Sequence, residues 1–120
     1  MNSENIFGII IMIFCNLLCA GSFYAIGIWA AKRKDPMHFY SGTTVDPATI
    51  SDIPAYNQEN AKMWKQYSVP FFLAAAFSAA GFWNSCFQTV GLILLIIGST
   101  LGIGWLVRKY HRILKAYQIP

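Results

Sequence analysis

Two stretches of the chain, residues 5–31 and 66–107, contain no Asp, Glu, Lys or Arg. A helix needs about 20 predominantly apolar residues to cross the hydrocarbon core of a bilayer, and both stretches exceed that. A chain of 120 residues has too little interior to hide so much uncharged text in a water-soluble fold. Only 12% of the residues are charged and 56% are hydrophobic, whereas an ordinary soluble domain is about 25% charged. The sequence therefore predicts an all-α, polytopic integral membrane protein. Residues 1–120 form one membrane domain, and the lipid bilayer of the cell membrane is its first partner.

The first stretch reads as one span over residues 6–31. It lacks a basic flank on its N-terminal side and is longer than the roughly 7–15-residue core of a cleaved signal, so it is expected to remain as an anchor. The second stretch is too long for a single crossing at about 1.5 Å per residue. It reads as a hairpin with spans over residues 68–83 and 88–107, turning at Trp83-Asn84-Ser85, where Asn and Ser favour a turn and Trp favours the headgroup level. Three transmembrane helices result.

The formal charge of +4 and pI of about 9.1 do not indicate a nucleic-acid partner. The basic residues stand at span ends, Lys32, Arg33 and Lys34 after the first and Arg108, Lys109, Arg112 and Lys115 after the last. That is where positive charge sets topology and meets anionic headgroups. Both clusters fall on one side of a three-span chain, which predicts an N-terminus outside and a cytoplasmic C-terminus.

The cytoplasmic segment, residues 32–67, divides in two. Pro36, Pro47 and Pro54 mark its first part as irregular loop. From Asn57 the text reads as an amphipathic interfacial helix, with Asn57 as N-cap, Glu59 in the first turn, and Tyr56, Asn60, Trp64 and Tyr67 on one face. Asp52, Tyr56, Asn57, Asn60, Trp64 and Tyr67 form the candidate partner-binding set, because aromatic side chains dominate binding hot spots. The competing reading is an anchoring helix with Asp52 closing an Asx turn.

Each span carries small or weakly polar residues: Gly8, Met12, Cys15, Cys19 and Ser22 in the first, Ala74, Ser78, Gly81 and Ser85 in the second, Gly91, Gly98 and Gly102 in the third. Small residues let membrane helices approach closely. Gly98 and Gly102 are candidate packing positions, within the chain or in a homo-oligomer. Asn16, the one strongly polar side chain well inside a span, is expected to bond across helices. Cys15 and Cys19 share a helix face, a soft-metal spacing. A metal carrier also needs acceptors along its route, and the cytoplasmic loop offers only His38, so no metal and no cofactor is expected. Pumps place ionisable groups within spans, and here there are none. No phosphate-binding loop or nucleophile set is assembled, and no enzymatic activity is expected.

Tyr40-Ser41-Gly42-Thr43-Thr44, followed by Asn60-x-x-x-Trp64-x-x-Tyr67 entering a two-span hairpin, resembles the sporulation-delaying toxin immunity (SdpI-like) family and related small membrane proteins of Gram-positive bacteria. In that family a Gly-x-Arg-Thr-like turn precedes an Asn-x-x-x-Trp-like helix start. The likeness covers residues 38–107. The chain departs from it in lacking the Arg, in a longer insert before Asn60, and in Tyr67 where a His is common. The resemblance implies an immunity-like, accessory or regulatory protein that holds a membrane-protein or peptide partner. The alternative is one subunit of an oligomeric small-solute or ion channel.

Overall fold

The computed structural model describes residues 2–39 and 44–120; the Tyr40-Ser41-Gly42-Thr43 part of the family-like turn lies outside them. Three long helices account for most of the chain: α1 (Ser3–Lys32), α2 (Ile53–Ala80) and α3 (Ser85–Tyr117). Among the described residues of the connection between α1 and α2, Pro47–Thr49 form a 3-10 turn.

Each helix starts on a side-chain cap, which accepts from an N–H that has no partner within the helix. The Asn2 side chain accepts from the Asn5 amide (2.9 Å), Asp52 from Ala55 (3.1 Å) and Asn84 from Cys86 (2.9 Å). The cap of α2 is thus Asp52, five residues before the Asn57 expected from sequence, and Pro54 fits the first turn because its missing N–H has no partner to lose there. Lys32 and Lys115 sit in the last turns of α1 and α3, where cations complement the helix dipole.

Two of the expected boundaries change. The interfacial helix and the second span are one continuous helix, with Pro70 tolerated inside it. α3 does not stop at Val107 but runs ten residues further, to Tyr117. α1 and α3 are each long and apolar enough to cross a membrane; α2 is not, because its first half carries Glu59, Lys62 and Lys65. Its apolar part, from Gln66 to Ala80, rises only about 22 Å.

α2 lies between the other two helices, and α1 and α3 hardly touch. The molecule is a rod of 59 × 22 × 21 Å. Antiparallel neighbours approach where glycine permits. A Cβ on Gly27 of α1 would stand 2.9 Å from the Ala61 carbonyl of α2, and one on Gly91 of α3 would stand 2.9 Å from the Ala74 carbonyl. Gly98 and Gly102 lie under the rings of Phe71 and Tyr67, and the Tyr67 hydroxyl donates to the Gly98 carbonyl (2.9 Å). The Gly98–Gly102 pair therefore packs inside the chain, against α2.

The packed face of α1 is displaced from the expected stripe. Ile9, Asn16, Ala20, Gly27 and Ala30 are buried, whereas Cys15 and Ser22 are exposed. Asn16 is fully buried, but its amide donates to the Met12 carbonyl of its own helix (2.9 Å) rather than across to a neighbour. The interhelical bond expected of it does not form among the described residues.

Candidate functional site

At one end of the rod the polar text of the chain comes together. The end of α1, residues 33–39 and 44–52 of the connection, the first half of α2 and the last turns of α3 enclose the aromatic end of the core. Its centre is the face of α2 that sequence reading singled out. Tyr56, Asn57 and Asn60 are at most 1% exposed, Tyr67 is 4% and Trp64 is 8% exposed. Five of the six candidate partner-binding residues are therefore interior, and only Asp52, the α2 cap, remains at the surface. The physical reason is that Met37 and Phe39 of the connection, and Leu106, Tyr110 and Ile113 of the extended α3, cover this face.

Asn57 is the polar centre of the cap. Its side-chain oxygen accepts from the Met37 amide (2.7 Å), and its amide donates to the Arg33 and Asp35 carbonyls (3.2 and 2.9 Å). One side chain thus satisfies three backbone groups of the chain leaving α1, groups that burial would otherwise leave unpaired. Asn57→Ala should cost about 2–4 kcal/mol, since the buried Met37 donor alone carries about 1–3 kcal/mol when left without an acceptor. Chemical denaturation in detergent micelles checks this, with Gln58→Ala, on the exposed side of the same turn, as the near-neutral control.

The Tyr56 hydroxyl donates to the Met37 carbonyl (2.7 Å) and stands 3.0 Å from the Tyr110 hydroxyl. Tyr56 has one proton, so Tyr110 is the donor in the second bond. Burial lifts the Tyr56 hydroxyl far above the ordinary tyrosine range, and the hydrogen bond with Tyr110 adds to this. A group raised in the folded state gives stability that is fully present below the unfolded value, about pH 10, and that falls as pH rises above it. Stability should hold to about pH 10 and then decline, and the decline should be shallower in Tyr56→Phe. Denaturation midpoints taken between pH 8 and 12 read this directly.

Aromatic rings fill the rest. Trp64 stacks with Phe23 of α1 and with Phe39, each at 6.0 Å between centroids, and Phe39 meets Tyr110 at 4.9 Å. Phe23 also meets Tyr67 (4.7 Å) and Phe71 (5.1 Å), which links this core to the apolar hairpin. The C-terminal tail closes the cap from outside. Ile50 bridges Gln118, the Ser51 amide donates to the Tyr117 carbonyl (2.8 Å), and the Ile119 amide donates to the Thr49 carbonyl (2.7 Å).

Two acidic side chains of this region have structural duties. Asp46 accepts from Ala48 (3.0 Å) to start the 3-10 turn, and Asp52 caps α2. Sequence reading missed the contributions of α3 and the tail. Leu106, Tyr110, Ile113 and Tyr117 recur at helical spacing, but Arg108, Lys109, Arg112 and Lys115 between them read as topology signals and hid that period.

Comparison with protein-family models, curated proteins and solved structures finds no match.

Proposed function

We propose that the chain is a three-span membrane protein, N-terminus outside, whose folded cytoplasmic cap makes it an accessory or immunity-like binding protein. The supporting observation is the cap itself. Asn57 and Tyr56 of α2 tie Met37 and Tyr110 to one another, and residues 49–51 pair with the tail, so that side-chain and backbone hydrogen bonds join distant parts of the chain there. An anchor that merely returns the chain to the bilayer has no need of it, and neither does a pore-lining subunit. α2 completes its crossing with Lys65 at the inner boundary, its ammonium 5.5 Å from the Tyr24 ring centre. There a long side chain reaches the headgroups while its stem stays in the apolar layer. Trp83, 86% exposed at the opposite turn, suits the outer interface. The likeness to the toxin-immunity family is consistent with this reading.

With Trp64 and Tyr56 inside, partner contacts belong on the exposed rim of the cap, which carries Lys62 and Lys115. The test is capture of the membrane partner by crosslinking in cells. Charge reversal at Lys62 and Lys115 should abolish the crosslinked species while the protein still accumulates in the membrane. Unchanged crosslinking, or ion conductance by the purified protein in liposomes, would favour the channel-subunit reading instead.

A further inference from the structure

Between α2 and α3, at the cap end of the apolar hairpin, lies a groove of about 320 Å³ lined by Gln66, Tyr67, Pro70, Gly102 and Trp105. Three features of the chain make it concave. Gly102 leaves the α3 wall bare, and a Cβ there would stand 2.9 Å from Tyr67 Cε1. Pro70 has no N–H, so the Gln66 carbonyl loses its usual helical donor at the groove's edge. Trp105, 42% exposed, forms the opposite side.

Lys109 and Arg112 follow Trp105 by four and seven residues and so continue its stripe along α3. Neither has a carboxylate partner; the one ion pair among the described residues joins Lys62 to Glu59. An apolar slot thus shares the Trp105 side of α3 with two cations that have no carboxylate partner, Lys109 one helical turn and Arg112 two turns beyond the Trp.

We infer that this groove binds an anionic phospholipid of the inner leaflet, one acyl chain lying in the slot and the phosphate meeting Lys109 and Arg112. The inference rests on the membrane reading proposed above. The slot is too small for a helix of a partner protein, and its polarity matches an amphiphile: apolar below, cationic above. A zwitterionic lipid fills the slot equally well but gains less from the cations, so the site selects for net negative charge.

Tryptophan quenching by lipids with brominated acyl chains tests this. In a Trp29→Phe, Trp83→Phe background, Trp105 is the exposed reporter and buried Trp64 a constant background. Brominated phosphatidylglycerol should displace plain phosphatidylcholine from Trp105 about thirtyfold better than brominated phosphatidylcholine does, the factor expected of two cations at an anionic surface. Lys109→Gln with Arg112→Gln should remove that preference, whereas Lys32→Gln with Lys34→Gln, on the α1 end, should leave it. Equal quenching by both lipids would overturn the inference, as would an equal loss in the two double variants, which marks general surface charge. Displacement by soluble glycerol phosphate would also overturn it, by assigning the site to a free anion. Absence of quenching by either lipid would instead refute the membrane reading on which the inference stands.

Discussion

Trp64→Ala should destabilise the protein by about 3–5 kcal/mol, the usual cost of removing a buried large aromatic side chain. Trp64 is 8% exposed and stacks with both Phe23 and Phe39, so its loss opens a void where α1, α2 and the 33–52 connection meet. Its indole N–H has no partner among the described residues, so the contribution is packing rather than hydrogen bonding. Trp64→Phe should therefore recover more than half of the loss, because it keeps a stacking ring and drops an unpaired donor. A side chain serving only a partner would behave in the opposite way, with full stability and lost binding in both variants. Thermal denaturation of the purified protein in one detergent distinguishes the two.

Gly91→Leu is the second large effect. A Cβ at Gly91 would lie 2.5 Å from Ser78 Oγ, 2.9 Å from the Ala74 carbonyl and 3.1 Å from the Ser78 backbone nitrogen. Two of these are backbone atoms and cannot rotate away, so α2 and α3 must separate. Overpacking of this kind costs about 1–3 kcal/mol, and with a whole Leu side chain at the crossing we expect the upper end of that range or loss of the folded protein. Gly104 is the matched control: a Cβ there meets nothing within 4 Å. Gly104→Ala should be neutral or stabilise by up to about 1 kcal/mol through helix propensity. Equal melting temperatures for Gly91→Leu and Gly104→Ala would show that the α2–α3 crossing is not close.

The architecture was legible because charge-free stretches and capping residues act locally. Asn84 caps α3 at the turn of the hairpin, and Gly91, Gly98 and Gly102 face α2, whereas Gly27, the close-approach glycine of α1, lies outside the stripe expected there. Local text misled at the cap. Asn57 resembles an N-cap, yet the Asp52-Ile53-Pro54 combination starts the helix five residues earlier, and Asn57 then becomes interior. Its three partners lie 20 to 24 residues away, beyond the reach of any periodicity argument.

Tyr56, Asn60, Trp64 and Tyr67 share one side of α2, but whether that side is covered is not readable from local sequence. Aromatic rings interleaved with Asn describe a binding hot spot and a buried core with polar ties equally well. What decides between them is whether another segment covers the face. Here the covering segments are Met37, Phe39 and the α3 turns around Tyr110, and the basic residues of α3 masked their contribution. On α1 the buried face passes through Asn16 and Ala20 rather than Cys15 and Ser22, since a helix with apolar residues on all sides does not announce which side its neighbour takes.

Residue-by-residue labelling with a membrane-impermeant maleimide tests the central claim, a membrane hairpin bearing a folded cytoplasmic cap. In a Cys15→Ser, Cys19→Ser background, Cys86, beside the Asn84 turn, should label in intact cells if that turn is outside. With Cys86→Ser added, Gln58→Cys on the cap rim should label only after the cells are lysed, while Tyr56→Cys in the cap core should resist labelling until denaturant is added. Labelling of Gln58→Cys in intact cells, or failure of Cys86 to label there, would contradict the account.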